Sequence, residues 1–204
     1  NSTGGQIAGV FNMANSLHGG QIGLFNMAKN IKGFQIGLIN ISDSISGVPI
    51  GLISVSAHGI FDADVWTSDI LSFNGGVRVG SKYVYNIYAY GVSPFKDELP
   101  FGLGIGIGGH IPVKTNGFVD IDGMVWTMHR SYFSFYGVNI INQLRVMGGY
   151  RFNKYISVFA GPTFNVGVQD SRYDPFHSSS FYEHDNGTTT VYMWPGFVAG
   201  IRLF

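Results

Sequence analysis

The stretch FGLGIGIGGHIPV, residues 101–113, alternates glycine with large apolar side chains. Gly102, Gly104, Gly106 and Gly108 fall on one parity, and Phe101, Leu103, Ile105 and Ile107 on the other. Alternation with period two is the signature of a strand, whose successive side chains point to opposite faces. Glycine is a poor strand residue, since it packs nothing and loses the most backbone freedom on ordering. A strand that keeps a row of glycines faces an apolar medium on one side and a space that must be left open to other side chains on the glycine side.

Composition extends that reading to the whole chain of 204 residues. Only 12% of them are charged, against roughly a quarter in ordinary soluble domains. Formal net charge is zero, so no basic field exists to attract nucleic acid, and no nucleic-acid partner is expected. There is no cysteine, which excludes disulfides and thiolate metal sites. No apolar run approaches the ~18–20 residues of a membrane-spanning helix. The opening NSTGG reads as a mature or trimmed start, with no signal-peptide pattern. A chain rich in glycine (30 residues) and aromatics (15%) without long apolar runs is a chain of strands. Strands cross lipid only as a closed barrel, because every backbone N–H and C=O there needs a partner.

Residues 1–59 form a distinct first region. Within it GGQIAGVFNMANSLH, GGQIGLFNMAKNIK, GFQIGLINISDSIS and GVPIGLISVSAHG repeat with a period of 14 and one extra residue in the first copy. Gln6, Gln21 and Gln35 fall in register, with Pro49 in the fourth place; Asn12, Asn26 and Asn40 are followed by Ser54. Identical residues at a short fixed period suggest stacked β-solenoid coils, in which each side chain sits above its copy and Asn columns hydrogen-bond along the stack. The alternative is short antiparallel strands, inserted in the wall of a twelve-stranded barrel.

Residues 60–204 form the second region, with eight alternating segments near 60–69, 72–80, 83–93, 101–113, 117–128, 139–152, 155–169 and 190–204. Their links are short at Ser81-Lys82, KTNG and FNKY, and long at TSDIL, SPFKDELP, HRSYFSFYG and the segment between the last two strands. Short turns at one end and long loops at the other, with an even strand number, is the layout of a closed antiparallel transmembrane β-barrel. Parity then sorts the faces. Leu103, Ile105, Val158 and Phe164 point out, while Gly102, Gly104, Gly106, Gly108 and His110 point in. The same count puts Asp62, Asp64, Asp120 and Asp122 inside with Arg78, Arg145, Arg151 and Arg202. An eight-stranded barrel is just wide enough for side chains to fill. The expectation is an ion-paired lumen in which the glycine face makes room for arginines; the alternative is a cavity for a ligand. Aromatic girdles are expected from Tyr83, Tyr85, Tyr150, Phe152 and Tyr155 at the short turns, and from Trp126, Tyr132, Phe133, Phe135, Tyr136 and Trp194 at the other end.

Motifs for catalysis are weak. His177-Ser178 resembles the His and Ser of lipid A deacylases but lacks their sequence context. His177, Glu183, His184 and Asp185 match no metal-site spacing. No Walker, Rossmann or triad motif is present. The expectation is a chain with no catalytic residues, no metal and no cofactor.

In architecture and in its terminal GFVAGIRLF, residues 60–204 resemble the small eight-stranded outer-membrane barrels of Gram-negative bacteria, with the OmpA/OmpX-like architecture. That resemblance implies that Phe204 belongs to the signal read by the insertion machinery. Here Phe197, Ala199, Ile201 and Leu203 take the parity opposite to Phe204, so either a bulge resets the last residues or Phe204 points away from lipid. The repeats, GxQIGLxNxA in form, resemble surface-repeat proteins of spirochaetes and Bacteroidota. The function expected is that of a non-enzymatic structural or accessory component of the cell envelope, within a larger outer-membrane complex. Its partners are outer-membrane lipid and other envelope proteins, and its sparsely charged repeats lie covered on the periplasmic side. A narrow pore or small-ligand carrier, and a lipid-modifying enzyme, are the alternatives.

Overall fold

The structure, a computed structural model, describes residues 2–95, 99–129, 139–172 and 179–204. The first five strands are β1 (Ser2–Ile7), β2 (Phe11–Ile22), β3 (Phe25–Ile36), β4 (Ile39–Ile50) and β5 (Ile53–Ser56), which pair in that order. All four pairings are parallel, and like residues meet: Asn12 on Asn26 on Asn40 on Ser54, and Gln21 on Gln35 on Pro49. The repeats are therefore coils of a solenoid-like sheet and add no antiparallel strands to the barrel wall. Each full coil bends at a glycine column. Gly19 and Gly33 have φ of +142° and +141°, and a Cβ on Gly33 would run into the Gly19 carbonyl. Only glycine takes that backbone while lying so close to the coil before it.

The barrel strands are β6 (Ile60–Ser68), β7 (Phe73–Gly80), β8 (Val84–Val92), β9 (Phe101–Val113), β10 (Gly117–His129), β11 (Asn139–Arg151), β12 (Ile156–Asp170) and β14 (Thr189–Leu203), with a short β13 (Tyr182–Asp185) before the last. β6 to β12 pair in sequence, and β14 joins β12 to β6, so the antiparallel sheet closes. Two compact units make up the chain: residues 1–62 with 78–86 and 107–110, and residues 63–77, 87–106 and 111–204.

The edge of β14 facing β6 has three consecutive partners. β6 covers Val198–Leu203 and ends at Ser68. The next N–H, that of Phe197, donates to the Asp69 carboxylate at 3.1 Å. Beyond it β13 pairs with Thr190–Met193. A strand edge left open would expose unpaired backbone groups, and the long last link folds back as β13 to cover it.

Polarity runs opposite to that of a soluble domain. On β12, Ser157, Thr163, Asn165 and Gln169 are buried, while Ile156, Val158 and Phe164 are exposed. Leu103 is 53% exposed and Arg202 only 1%. Tyr83, Tyr150, Phe152 and Tyr155 are exposed near the short turns as expected. Three girdle assignments are corrected: Tyr85, Trp126 and Trp194 are buried, because each shares the inward parity of its strand. Tyr132, Phe133, Phe135 and Tyr136 lie outside the described residues. Phe101 keeps its outward parity yet is buried, stacked on His129 (4.8 Å between ring centres) and next to Tyr90.

Candidate functional site

The barrel interior gathers most of the buried charge. Arg202 on β14 is the centre of one group. Its Nε and Nη2 donate to the two oxygens of Asp64 at 2.8 and 2.9 Å, a bidentate grip, and its Nη1 donates to Asp120 at 2.7 Å. The guanidinium lies 5.2 and 5.1 Å from the Phe118 and Phe159 rings. Planar, delocalised and always charged, arginine suits such a site better than lysine. Arg145 donates to Asp122 at 2.6 Å and lies 5.1 Å from the Trp66 ring. In the other compact unit, Arg78 lies 3.8 Å from Asp62 and 3.6 Å from the centre of the Tyr85 ring. All of these charged side chains are buried.

Arg151 departs from the expectation. It is exposed, and its guanidinium stacks on the Phe204 ring at 4.1 Å. Its parity is inward, but it is the last residue of β11 and lies at the strand's end. Phe204 follows the last strand, its N–H bonded to the Tyr155 carbonyl at 3.0 Å. Register from Ile156–Leu203 to Asp170–Thr189 is unbroken, so no bulge resets the C-terminal parity, and Leu203 and Ile201 are the outward residues.

The glycine face of β9 serves a different purpose from the one expected. A Cβ on Gly104 would approach Trp126 ring atoms to 2.9–3.0 Å, one on Gly102 the Met128 sulfur to 2.9 Å, and one on Gly106 the Met124 Cγ to 2.7 Å. Gly108, on the same face, is also buried. The space left by Gly102, Gly104 and Gly106 takes Trp126 and two methionines rather than arginines. Trp66 meets Trp126 edge-on at 6.3 Å, and Tyr192 stacks on Trp194 at 5.1 Å. Polar groups thread between them: Trp126 Nε1 donates to Gln143 (3.3 Å), and Gln143 donates to Asn165 (3.0 Å).

Asp69, in the β6–β7 link, is the interior residue that strand parity does not reach. Its carboxylate accepts from Trp194 Nε1 (2.6 Å), Asn165 Nδ2 (3.0 Å), the Phe197 N–H (3.1 Å) and Thr163 Oγ1 (3.3 Å). Ile70 and Leu71 beside it are buried. The link is thereby tied to β12 and β14 at the long-loop end.

A second set of buried polar groups lies in the repeats. Asn12 Nδ2 donates to Asn26 Oδ1 and Asn26 Nδ2 to Asn40 Oδ1, both at 2.9 Å, and Asn40 Nδ2 donates to Ser54 Oγ at 3.2 Å. Each of these Nδ2 groups also donates to a backbone carbonyl, of Ile22, Ile36 and Ile50 in turn. A carbonyl only accepts, so the amide orientations are fixed. Gln35 donates to Gln21 and Gln21 to Gln6 in a parallel ladder. Leu17, Ala28 and Ile31 form a small apolar core with Ala14 and Ile45.

The remaining candidates stay apart. His177 and Ser178 lie outside the described residues. Glu183, His184 and Asp185 are exposed on β13. Asp185 accepts from Ser171 Oγ at 2.6 Å and the Gly187 N–H at 2.8 Å, and these bonds hold its carboxyl below the usual range. Among the described residues no three His, Asp or Glu side chains gather as a metal site. His110 is half-buried, and its backbone N–H donates to the Tyr83 carbonyl at 2.8 Å. Two open grooves of about 310 and 500 Å³ lie partly along outward residues, including Leu144 with Phe164, and Gly148 with Ala160 and Ala199. Compared with protein-family models, curated proteins and solved structures, the chain matches none.

Proposed function

We propose that the chain is a non-enzymatic β-barrel of the bacterial outer membrane, working as a structural or accessory component of the envelope within a larger outer-membrane assembly. The observation that carries this reading is the inverted polarity of a closed barrel. Charges are buried and paired in its interior, and aliphatic side chains such as Leu103, Leu144, Phe164 and Ile201 are exposed around its wall. In water such a wall would be a continuous apolar surface far beyond what soluble monomers expose. In a bilayer it meets acyl chains, and every strand finds its backbone partners within the ring. An interior crossed by Arg202 and Arg145 and packed with Trp66, Trp126 and Trp194 favours a supporting role over a pore or ligand carrier. Short turns face the periplasm in outer-membrane barrels, and residue 60 begins β6 at the short-turn end, so the repeats start on that side.

The test is reconstitution followed by capture. In its native membrane the chain should resist extraction by carbonate; solubilised in mild detergent it should co-elute with envelope proteins, and reconstituted in planar bilayers it should give no steady conductance. Release by carbonate would overturn the membrane reading. A monodisperse monomer would remove the assembly, and a stable unitary current would favour the pore.

A further inference from the structure

The outer surface of the repeat coils divides into two arcs. Going round one coil, the outward positions Phe34, Ile36, Leu38, Ile39 and Ile41 are apolar, and their copies in the neighbouring coils are apolar too, except at Phe34, whose partner on one side is Gly20. Ile22, Ile36 and Ile50 form one column, Leu24, Leu38 and Leu52 a second, and Phe11, Phe25, Ile39 and Ile53 a third; these residues are exposed, apart from a half-buried Ile39. The rest of the circuit is polar. It carries Lys29, Lys32 and Asp43, which are the only formal charges in residues 5–58, together with His18, Ser46 and His58.

The inside of the coil is divided in the reverse sense. Behind the apolar arc stand the buried amides, Gln21 and Gln35 beside the Ile column and Asn26 and Asn40 beside the Phe/Ile column. Behind the polar arc stand Leu17, Ala28 and Ile31. One half of each coil is thus built as for water, apolar inside and polar outside, and the other half is built the opposite way.

We infer that the apolar arc of the repeats is a lipid-contacting surface, seated against acyl chains of the same bilayer that the barrel spans. The inference rests on the membrane reading of the barrel. A surface whose own interior is polar and whose exterior is aliphatic is matched to hydrocarbon, because the amides bond to one another and to carbonyls of the coil, Gln35 Oε1 at the end of its ladder excepted, and present no polar group outward. Its composition separates lipid from a protein partner. Protein interfaces concentrate their binding energy in Trp, Tyr and Arg anchors set in individual pockets. Here uniform columns of Ile and Leu form smooth ridges, with no Trp, Tyr or Arg in residues 5–58. The arc also touches the barrel wall inside one compact unit: Asn86, at an outward position of β8, donates to the Gly51 carbonyl at 2.7 Å, and Gly51 lies between Ile50 and Leu52 of the arc.

The chain has no cysteine, so single-site labelling is direct. Leu38→Cys on the apolar arc, Ser46→Cys on the polar arc and Leu144→Cys on the barrel wall are each labelled with an environment-sensitive fluorophore. The full-length protein is then reconstituted in phosphatidylcholine vesicles with brominated acyl chains. The expected result is quenching at residue 38 that matches residue 144 and exceeds residue 46. Quenching at 144 but not at 38, with 38 open to an aqueous quencher, overturns the inference and leaves the barrel reading intact. Protection of 38 from both quenchers overturns it in favour of a protein cover. No quenching at 144 defeats the barrel reading itself.

Discussion

Pro49 stands in the column of Gln35 and ends its amide ladder. The two are register partners on β4 and β3, and Gln35 Oε1 is buried without a hydrogen-bond donor among the described residues. Pro49 offers neither a side-chain amide nor a backbone N–H. Pro49→Gln should donate to Gln35, whereas Pro49→Ala should not; both lose the ring's restraint on the unfolded chain. The Gln variant should therefore be more stable than the Ala variant by about 1 kcal/mol. Thermal melts of the two in one detergent check this, and equal midpoints would count against the ladder.

Arg202 neutralises two carboxylates at once, so its loss should cost more than that of any other lumen arginine. Arg202→Met leaves Asp64 and Asp120 buried without it, a change worth about 3–5 kcal/mol. Adding Asp64→Asn and Asp120→Asn should restore much of that loss. Arg151→Ala, at the exposed end of β11, should stay within about 0.5 kcal/mol of the parent. Unfolding midpoints of these three variants and the parent provide the readout.

Gly104 and Gly123 make a matched pair for the packing argument. A Cβ at Gly104 meets the Trp126 ring, and one at Gly123 meets nothing within 4 Å. Gly104→Ala should destabilise by about 1–3 kcal/mol through overpacking, with partial recovery on adding Trp126→Leu. Gly123→Ala should be neutral. A harmless Gly104→Ala would show that the interior is loose at that level.

Asp69 holds the β6–β7 link by charge-assisted bonds to β12 and β14. Asp69→Asn would turn two N–H donors toward a site already supplied with donors, costing about 1.5–3 kcal/mol. Trp194 fluorescence should shift and broaden, and the 69–72 segment should become open to protease while the rest of the barrel holds.

Asp185 has a depressed pKa from its bonds to the Ser171 hydroxyl and the Gly187 N–H. A group depressed in the folded state contributes stability above its unfolded pKa and loses it as pH falls through the folded value. The 185–188 turn should therefore loosen only in acid, below the ordinary aspartate range. Spin-label mobility at Thr188→Cys should rise there and remain flat from neutral pH down to that range.

Much of this fold was legible because period-two alternation and 14-residue identity are local signals. Strand limits read from alternation fall within one residue or so of those observed, as at β9 and β12. The interior was less so. Parity gives a face but not a depth, so Arg151 reads as lumenal although it ends its strand. Aromatic identity outweighed parity at Trp126 and Trp194, which the same count would have turned inward. Asp69 sits in a link, where no alternation exists to place it. β13 depends on β6 ending at Ser68 while β14 runs on to Thr189, a relation between strands far apart in the chain that neither sequence displays alone.

The in-register coil has a consequence for how this chain can change length. Leu24, Leu38 and Leu52 each hand over to a residue of the same column, Phe25, Ile39 or Ile53. Excising 25–38 would join Leu24 to Ile39 and set Asn40 where Asn26 stood, with the Asn column still in register and Gln21 taking the place of Gln35 beside Pro49. Excising one residue fewer would turn each inward side chain outward for the rest of the coil. The repeat region is thus a ruler graduated in whole coils, each step about 4.8 Å along the stack; within the strands, insertions or deletions are silent only when they come in that unit, while the one extra residue of the first copy is taken up in the bend between β1 and β2.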